Sequence, residues 1–153
     1  MGESLTPSSA LDAGIEGGNA SGTAEGPQPL EGLRVVVVDD DPQVRAVVAL
    51  VLERAGAAVA PADSAATAFA LLQVAPRDFL VSDIEMPGED GLSFMHRIRD
   101  AGCGVAAIAM SGSMRDDLEA RARDAGFKEC LNKPFHPETL VALIARRHGR
   151  GHG

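Results

Sequence analysis

At 153 residues, with 45% hydrophobic and 24% charged residues, the chain has a globular composition, with room for one ordinary domain and none for a second. A formal charge of -8, with the arginines scattered among acids, excludes the basic stripe of a nucleic-acid-binding protein. No apolar run approaches the roughly 20 residues of a membrane span, the start lacks the basic and apolar regions of a signal peptide, and Cys103 and Cys130 form no disulfide framework or CxxC pair. The expectation is a cytoplasmic protein with no membrane and no nucleic-acid partner.

Residues 1–32 are rich in Gly, Ser, Ala, Pro and Glu, lack Lys and Arg, and show no periodicity. They read as a disordered acidic N-terminal tail, because such a segment buries too little apolar surface to offset the entropy of ordering. Leu33 to Val38 contains four consecutive valines, the continuous apolar run of a central parallel strand. Asp39-Asp40-Asp41 follows, and Asp41 caps a helix with Pro42 in its first position and Val44, Val47, Val48, Val51 and Leu52 on one face. Gly56 stops it. Ala57 to Ala60 is a weak second strand; Pro61 to Ser64 leads into a helix carrying Ala68, Phe69, Leu71 and Leu72, which Pro76 ends.

Phe79 to Ser82 is the third strand, and it drives straight into Asp83 and the turn Pro87-Gly88. Asp90-Gly91 opens a helix whose Leu92, Met95 and Ile98 face inward, broken by Gly102-Cys103-Gly104. Val105 to Met110 is the fourth strand, ending at Ser111-Gly112, and Met114 to Ala125 is a charged helix closed by Gly126. Phe127 to Leu131 is a short fifth strand followed by Asn132-Lys133-Pro134-Phe135. A last helix from His136 carries Leu140, Val141, Leu143 and Ile144, and residues 149–153 read as a flexible tail. This alternation predicts right-handed βαβ units: an α/β fold with a five-stranded parallel sheet, doubly wound as (βα)5 over residues 33–148.

Parallel strands present their carboxyl ends to one edge, where open α/β sheets keep their chemistry. Those ends carry Asp39 and Asp40, Asp83, Ser111 and Lys133. Crowded carboxylates repel one another unless protonated or neutralised by a cation, and an oxygen-only set points to a hard ion, most simply Mg²⁺. A lysine ammonium and a serine hydroxyl suit the equatorial oxygens of an incoming phosphoryl group. The set reads as an aspartyl-phosphate site, with Asp83 as the nucleophile.

The segments Val-Val-Asp39-Asp40-Asp41-Pro42, Asp83-Ile-Glu-Met-Pro87-Gly88-Glu-Asp90-Gly91-Leu92, Ser111 and Lys133-Pro134-Phe135 resemble the receiver (CheY-like) domain of bacterial two-component response regulators. The resemblance implies a flavodoxin-like or CheY-like strand order, 2-1-3-4-5. It also implies that Asp83 is the phosphoacceptor for the phosphohistidine of a sensor histidine kinase or phosphotransfer protein. Asp40, Asp83 and the backbone carbonyl of Glu85 would hold Mg²⁺, with Asp39 acting mainly through a water. Lys133 would pair with phosphoryl oxygens, Ser111 would swing toward them to signal, and the Lys133-Pro134 bond would be cis. Such a protein is a phosphoacceptor signalling domain rather than an enzyme, assisting only its own phosphorylation and dephosphorylation. With no output domain in view, the expectation is a single-domain regulator, a monomer or weak dimer, that binds an unidentified downstream protein.

Two positions depart from the family pattern. Cys130 stands at the switch position commonly held by an aromatic residue, so switching would rest on backbone movement of the Ser111 loop; the plainer reading is that the thiol fills a core gap. Glu85 places a fourth carboxylate at the mouth of the site, where it would repel a donor, touch the metal or orient a hydrolytic water, and so tune phosphoryl lifetime. Two alternatives remain: an interaction module that keeps the fold without phosphorylation, and a haloacid-dehalogenase-type phosphatase, whose nucleophile strand would come first rather than third.

Overall fold

A computed structural model describes residues 28–152, with side chains through Gly149. Among the described residues five strands, β1 (Arg34–Val38), β2 (Ala58–Ala62), β3 (Phe79–Asp83), β4 (Ala106–Ser111) and β5 (Glu129–Asn132), alternate with five helices. The helices are α1 (Pro42–Arg54), α2 (Ala65–Val74), α3 (Gly91–Asp100), α4 (Asp116–Ala125) and α5 (Pro137–His152). All the strand pairings are parallel, in the order β2-β1-β3-β4-β5. Among the described residues no helix is long and apolar enough to cross a membrane.

The period of two along each strand divides the core between the two faces of the sheet. Val36, Val38, Leu80, Ala107 and Ala109 pack against α2, α3 and α4 through Ala68, Leu72, Phe94, Ile98 and Ala122. Val35, Val37, Phe79, Val81, Ile108 and Met110 pack against α1 and α5 through Val48, Leu52, Leu140 and Ile144. Phe94, absent from the inward residues expected of α3, is fully buried. Conversely, Val47 was expected on the inner face of α1 but is 52% exposed, because Val48 and Leu52 already mark the centre of that stripe.

Several boundaries differ from the sequence reading for local reasons. Residues 29–32 form turns rather than the end of an unstructured tail: Leu30 is fully buried, and its N–H bonds to the Ala55 carbonyl at 2.8 Å. Residues 1–27 lie outside the described residues. β2 continues through Pro61, since an edge strand loses little when one N–H is missing. α4 starts at Asp116 rather than Met114, whose N–H is instead held by Asn132 Oδ1 at 3.1 Å. β5 starts two residues after Phe127, whose N–H closes the end of α4 on the Ala122 carbonyl. α5 continues to His152, past the His148 boundary expected from the glycines that follow.

Three helix starts are capped by side chains, Asp41 as expected, while Arg115 before α4 makes no side-chain cap bond. Asp41 accepts from the N–H groups of Gln43 and Val44, Asp90 from Ser93, and Ser64 from Thr67. For Ser64→Ala, which removes an acceptor at 3.2 Å from Thr67 N, a loss of about 1 kcal/mol in urea denaturation is expected.

Candidate functional site

The carboxyl ends of β1, β3, β4 and β5 converge on one edge. Asp83 is the last residue of β3 and Ser111 the last of β4, while Asp39 and Lys133 directly follow β1 and β5. Asp39, Asp83 and Ser111 are buried; Asp40 is exposed. Carboxylate oxygens of Asp39, Asp40 and Asp83 lie within 4.8 Å of one another.

Lys133 Nζ is 2.9 Å from Asp39 Oδ2 and 3.4 Å from Asp83 Oδ1. It thus bonds most closely to Asp39, the aspartate expected to act mainly through a water. Asp39 is held further by the Asp41 N–H on Oδ1 at 2.9 Å, while Arg45 clasps its backbone carbonyl at 2.7 Å. Asp83 Oδ1 is buried and accepts no hydrogen bond of good geometry; the Lys133 contact is an ion pair only. Burial, and then the Asp39 carboxylate, push the Asp83 pKa up from 3.8 to about 6, against the pull of Lys133. Burial acts to lower the Lys133 pKa, but the Asp39 hydrogen bond and the two carboxylate charges outweigh it and the pKa is raised. The pair is therefore ionic at neutral pH, and Asp83 is a carboxylate above about pH 6.

Asp83 Oδ1 without a donor, a shared pocket of three carboxylates and an all-oxygen donor set fit a hard divalent cation rather than a soft one. A single lysine leaves that cluster net negative, which is the electrostatic condition under which a cation binds.

Ser111 Oγ does not point its proton at this cluster. It donates to Glu85 Oε2 at 2.5 Å and accepts from the Ser113 N–H at 2.9 Å. The Glu85 contact, like that of Arg45, is not legible in the sequence, because no periodicity links a loop residue to a strand end 26 positions away. Cys130 lies on β5 opposite Ala109, half-buried, against the core on the α2–α4 side. Burial raises its thiol pKa, which keeps it protonated and suits packing rather than reactivity. The Lys133-Pro134 peptide is cis.

The family model of the response regulator receiver domain matches residues 35–145, which contain every one of these side chains. The chain belongs to that family. This receiver domain is 36% identical over 119 residues to an uncharacterized 14.6 kDa protein of Leptolyngbya boryana, a match covering 76% of this chain and 91% of that one. It is 34% identical over 120 residues to the transcriptional regulatory protein FixJ of Azorhizobium caulinodans, where the match covers 78% of this chain but 57% of FixJ. In three dimensions it resembles the chemotaxis protein CheY4 of Vibrio cholerae, with a TM-score of 0.71 at 28% identity over 74% of this chain and 97% of that one. The receiver fold and its 2-1-3-4-5 strand order are thus as expected, and the family match leaves the phosphatase alternative without support.

Proposed function

We propose that Asp83 accepts a phosphoryl group from the phosphohistidine of a sensor histidine kinase or phosphotransfer protein, with Mg²⁺, and that the phosphorylated domain signals by binding another protein. The observation that carries this reading is the buried, donor-free Asp83 Oδ1, beside the Lys133 ammonium and two further aspartates. A carboxylate oxygen of Asp83 attacks phosphorus; the new O–P bond forms as the P–N bond to the donor imidazole breaks, and the imidazole keeps the electron pair. Lys133, 3.4 Å from Asp83 Oδ1, meets one equatorial phosphoryl oxygen. Ser111 supplies a hydroxyl donor to another once released from Glu85. Asp39, Asp40, Asp83 and the Glu85 carbonyl would hold the Mg²⁺, which when bound offsets phosphoryl charge. An apolar groove of about 490 Å³, lined by Val44, Val47, Pro134 and Phe135 among others, opens beside Lys133 and suits a docking helix of the donor.

Incubation with acetyl phosphate and Mg²⁺, read by intact mass, is expected to add a phosphate-sized increment to the wild type. The increment is expected to vanish without Mg²⁺ and in Asp83→Asn. No gain in folded wild type, with acetyl phosphate or with a phosphohistidine donor, would leave a phosphorylation-independent interaction module as the better reading.

A further inference from the structure

The hydroxyl of Ser111 is already committed. A serine hydroxyl carries one proton, and here that proton goes to Glu85 Oε2 at 2.5 Å, within the range of a strong charge-assisted hydrogen bond. The Ser113 N–H takes up acceptor capacity on the same oxygen at 2.9 Å. A hydroxyl so bonded cannot also donate to a phosphoryl oxygen on Asp83.

The loop that carries Glu85 is itself anchored. Ile84 N bonds to the Met110 carbonyl at 2.9 Å, and Gly91 N to the Ile84 carbonyl at 2.8 Å. Glu89 forms a two-pronged pair with Arg97 at 2.7 and 3.0 Å, and the Arg97 guanidinium lies 4.2 Å from the centre of the Phe69 ring. The Glu85 carboxylate therefore reaches β4 from a supported backbone. On the other side of β4, the residue facing Ala109 is Cys130, and the chain contains no Tyr or Trp. No bulky ring is present on β5 to follow Ser111 as it moves.

We infer that Glu85 is a latch on Ser111: it holds the hydroxyl toward the β3–α3 loop in the unphosphorylated protein, and recruitment of Ser111 by a phosphoryl group requires this bond to break. The inference rests on the phosphoacceptor reading above. Glu85 is thus a positioning residue that sets how strongly the modified Asp83 and the β4–α4 loop are coupled. Breaking the latch releases the Glu85 carboxylate together with the Ser111 loop, so this one contact links the acceptor side to the start of α4.

The latch differs from simple charge repulsion in requiring Ser111, and a double-mutant cycle separates the two. Beryllofluoride, an unreactive phosphoryl stand-in, is titrated with Mg²⁺ into wild type, Glu85→Ala, Ser111→Ala and the double variant. Glu85→Ala is expected to bind about tenfold more tightly than wild type, and most of that gain is expected to disappear in the Ser111→Ala background. An equal gain in both backgrounds overturns the latch in favour of direct repulsion by Glu85. Without ligand, the Ser113 amide resonance, which reports on Ser111 Oγ, is expected to shift in Glu85→Ala and to stay in place in Glu53→Ala, a change to an exposed carboxylate on α1. An unmoved Ser113 resonance in Glu85→Ala overturns the latch by itself. Failure of beryllofluoride to bind the wild type counts instead against the phosphoacceptor reading, and the amide resonance then decides the latch.

Discussion

Gly91→Ala is expected to destabilise the domain by about 3 kcal/mol and to impair phosphorylation of Asp83. Gly91 is the first residue of α3, and a Cβ there would lie 2.6 Å from the Asp83 carbonyl oxygen and 2.8 Å from Ile84 Cα. Both atoms are backbone, fixed by the Ile84 N–H bond to Met110 and the Gly91 N–H bond to Ile84, so no side-chain rotation relieves the overlap. Either α3 lifts off, opening the contacts of Leu92, Met95 and Ile98, or the end of β3 moves and takes the Asp83 carboxylate with it. Gly104, with no atom within 4 Å of its would-be Cβ, is the control: Gly104→Ala is expected to stay within about 0.5 kcal/mol. Urea denaturation and the rate of acetyl phosphate labelling measure the two effects. Wild-type stability and labelling in Gly91→Ala would refute the steric account.

Asp83→Asn is expected to be more stable than the wild type in the absence of divalent cations. The folded protein holds the Asp83 proton up to about pH 6, whereas an unfolded chain releases it near 3.8. Between those values the folded state binds more protons, so stability falls as pH rises through that window, and the full penalty stands above pH 6. Two pK units correspond to roughly 3 kcal/mol at most, and solvent reorganisation around the site reduces this. The stability gap between Asp83→Asn and wild type is therefore expected to be small at pH 4 and to open to about 1–3 kcal/mol at pH 7.5. Added Mg²⁺ is expected to narrow the gap by stabilising the wild type through binding to the folded state. A gap that does not vary with pH would show that the carboxylate charge is not what is being relieved.

Both effects stem from the same feature of the fold: Asp83 sits where strand ends crowd together, and its charge is left partly uncompensated. That crowding was legible from the chain, because apolar strands ending at Asp39, Asp83 and Ser111, with Lys133 after the fifth, can meet only at the carboxyl edge of a parallel sheet. The cap at Asp41 and the helix starts after Ser64 and at Asp90-Gly91 were legible for a similar reason, since a helix start is decided within a few residues. Leu30 was not, because one leucine in a Gly- and Pro-rich stretch carries no period, and it is buried only by joining the core on the α1–α5 side of the sheet, with its N–H held by the Ala55 carbonyl at the end of α1. Nor was the start of β5, where Phe127 looks strand-like yet its N–H completes the end of α4.

Local patterning thus determined which residues lie at strand ends and that helices cover both faces of the sheet, since each follows from periodicity and turn chemistry over short spans, and it singled out Asp83 as the proposed acceptor. Only the tertiary structure decided how the site's bonds are shared: that Lys133 bonds Asp39 more closely than Asp83, that Arg45 clasps the Asp39 carbonyl, and that Ser111 gives its proton to Glu85. Those choices depend on side chains from separate loops competing for the same donors within a few ångströms, a competition settled by three-dimensional distance rather than by any spacing along the chain.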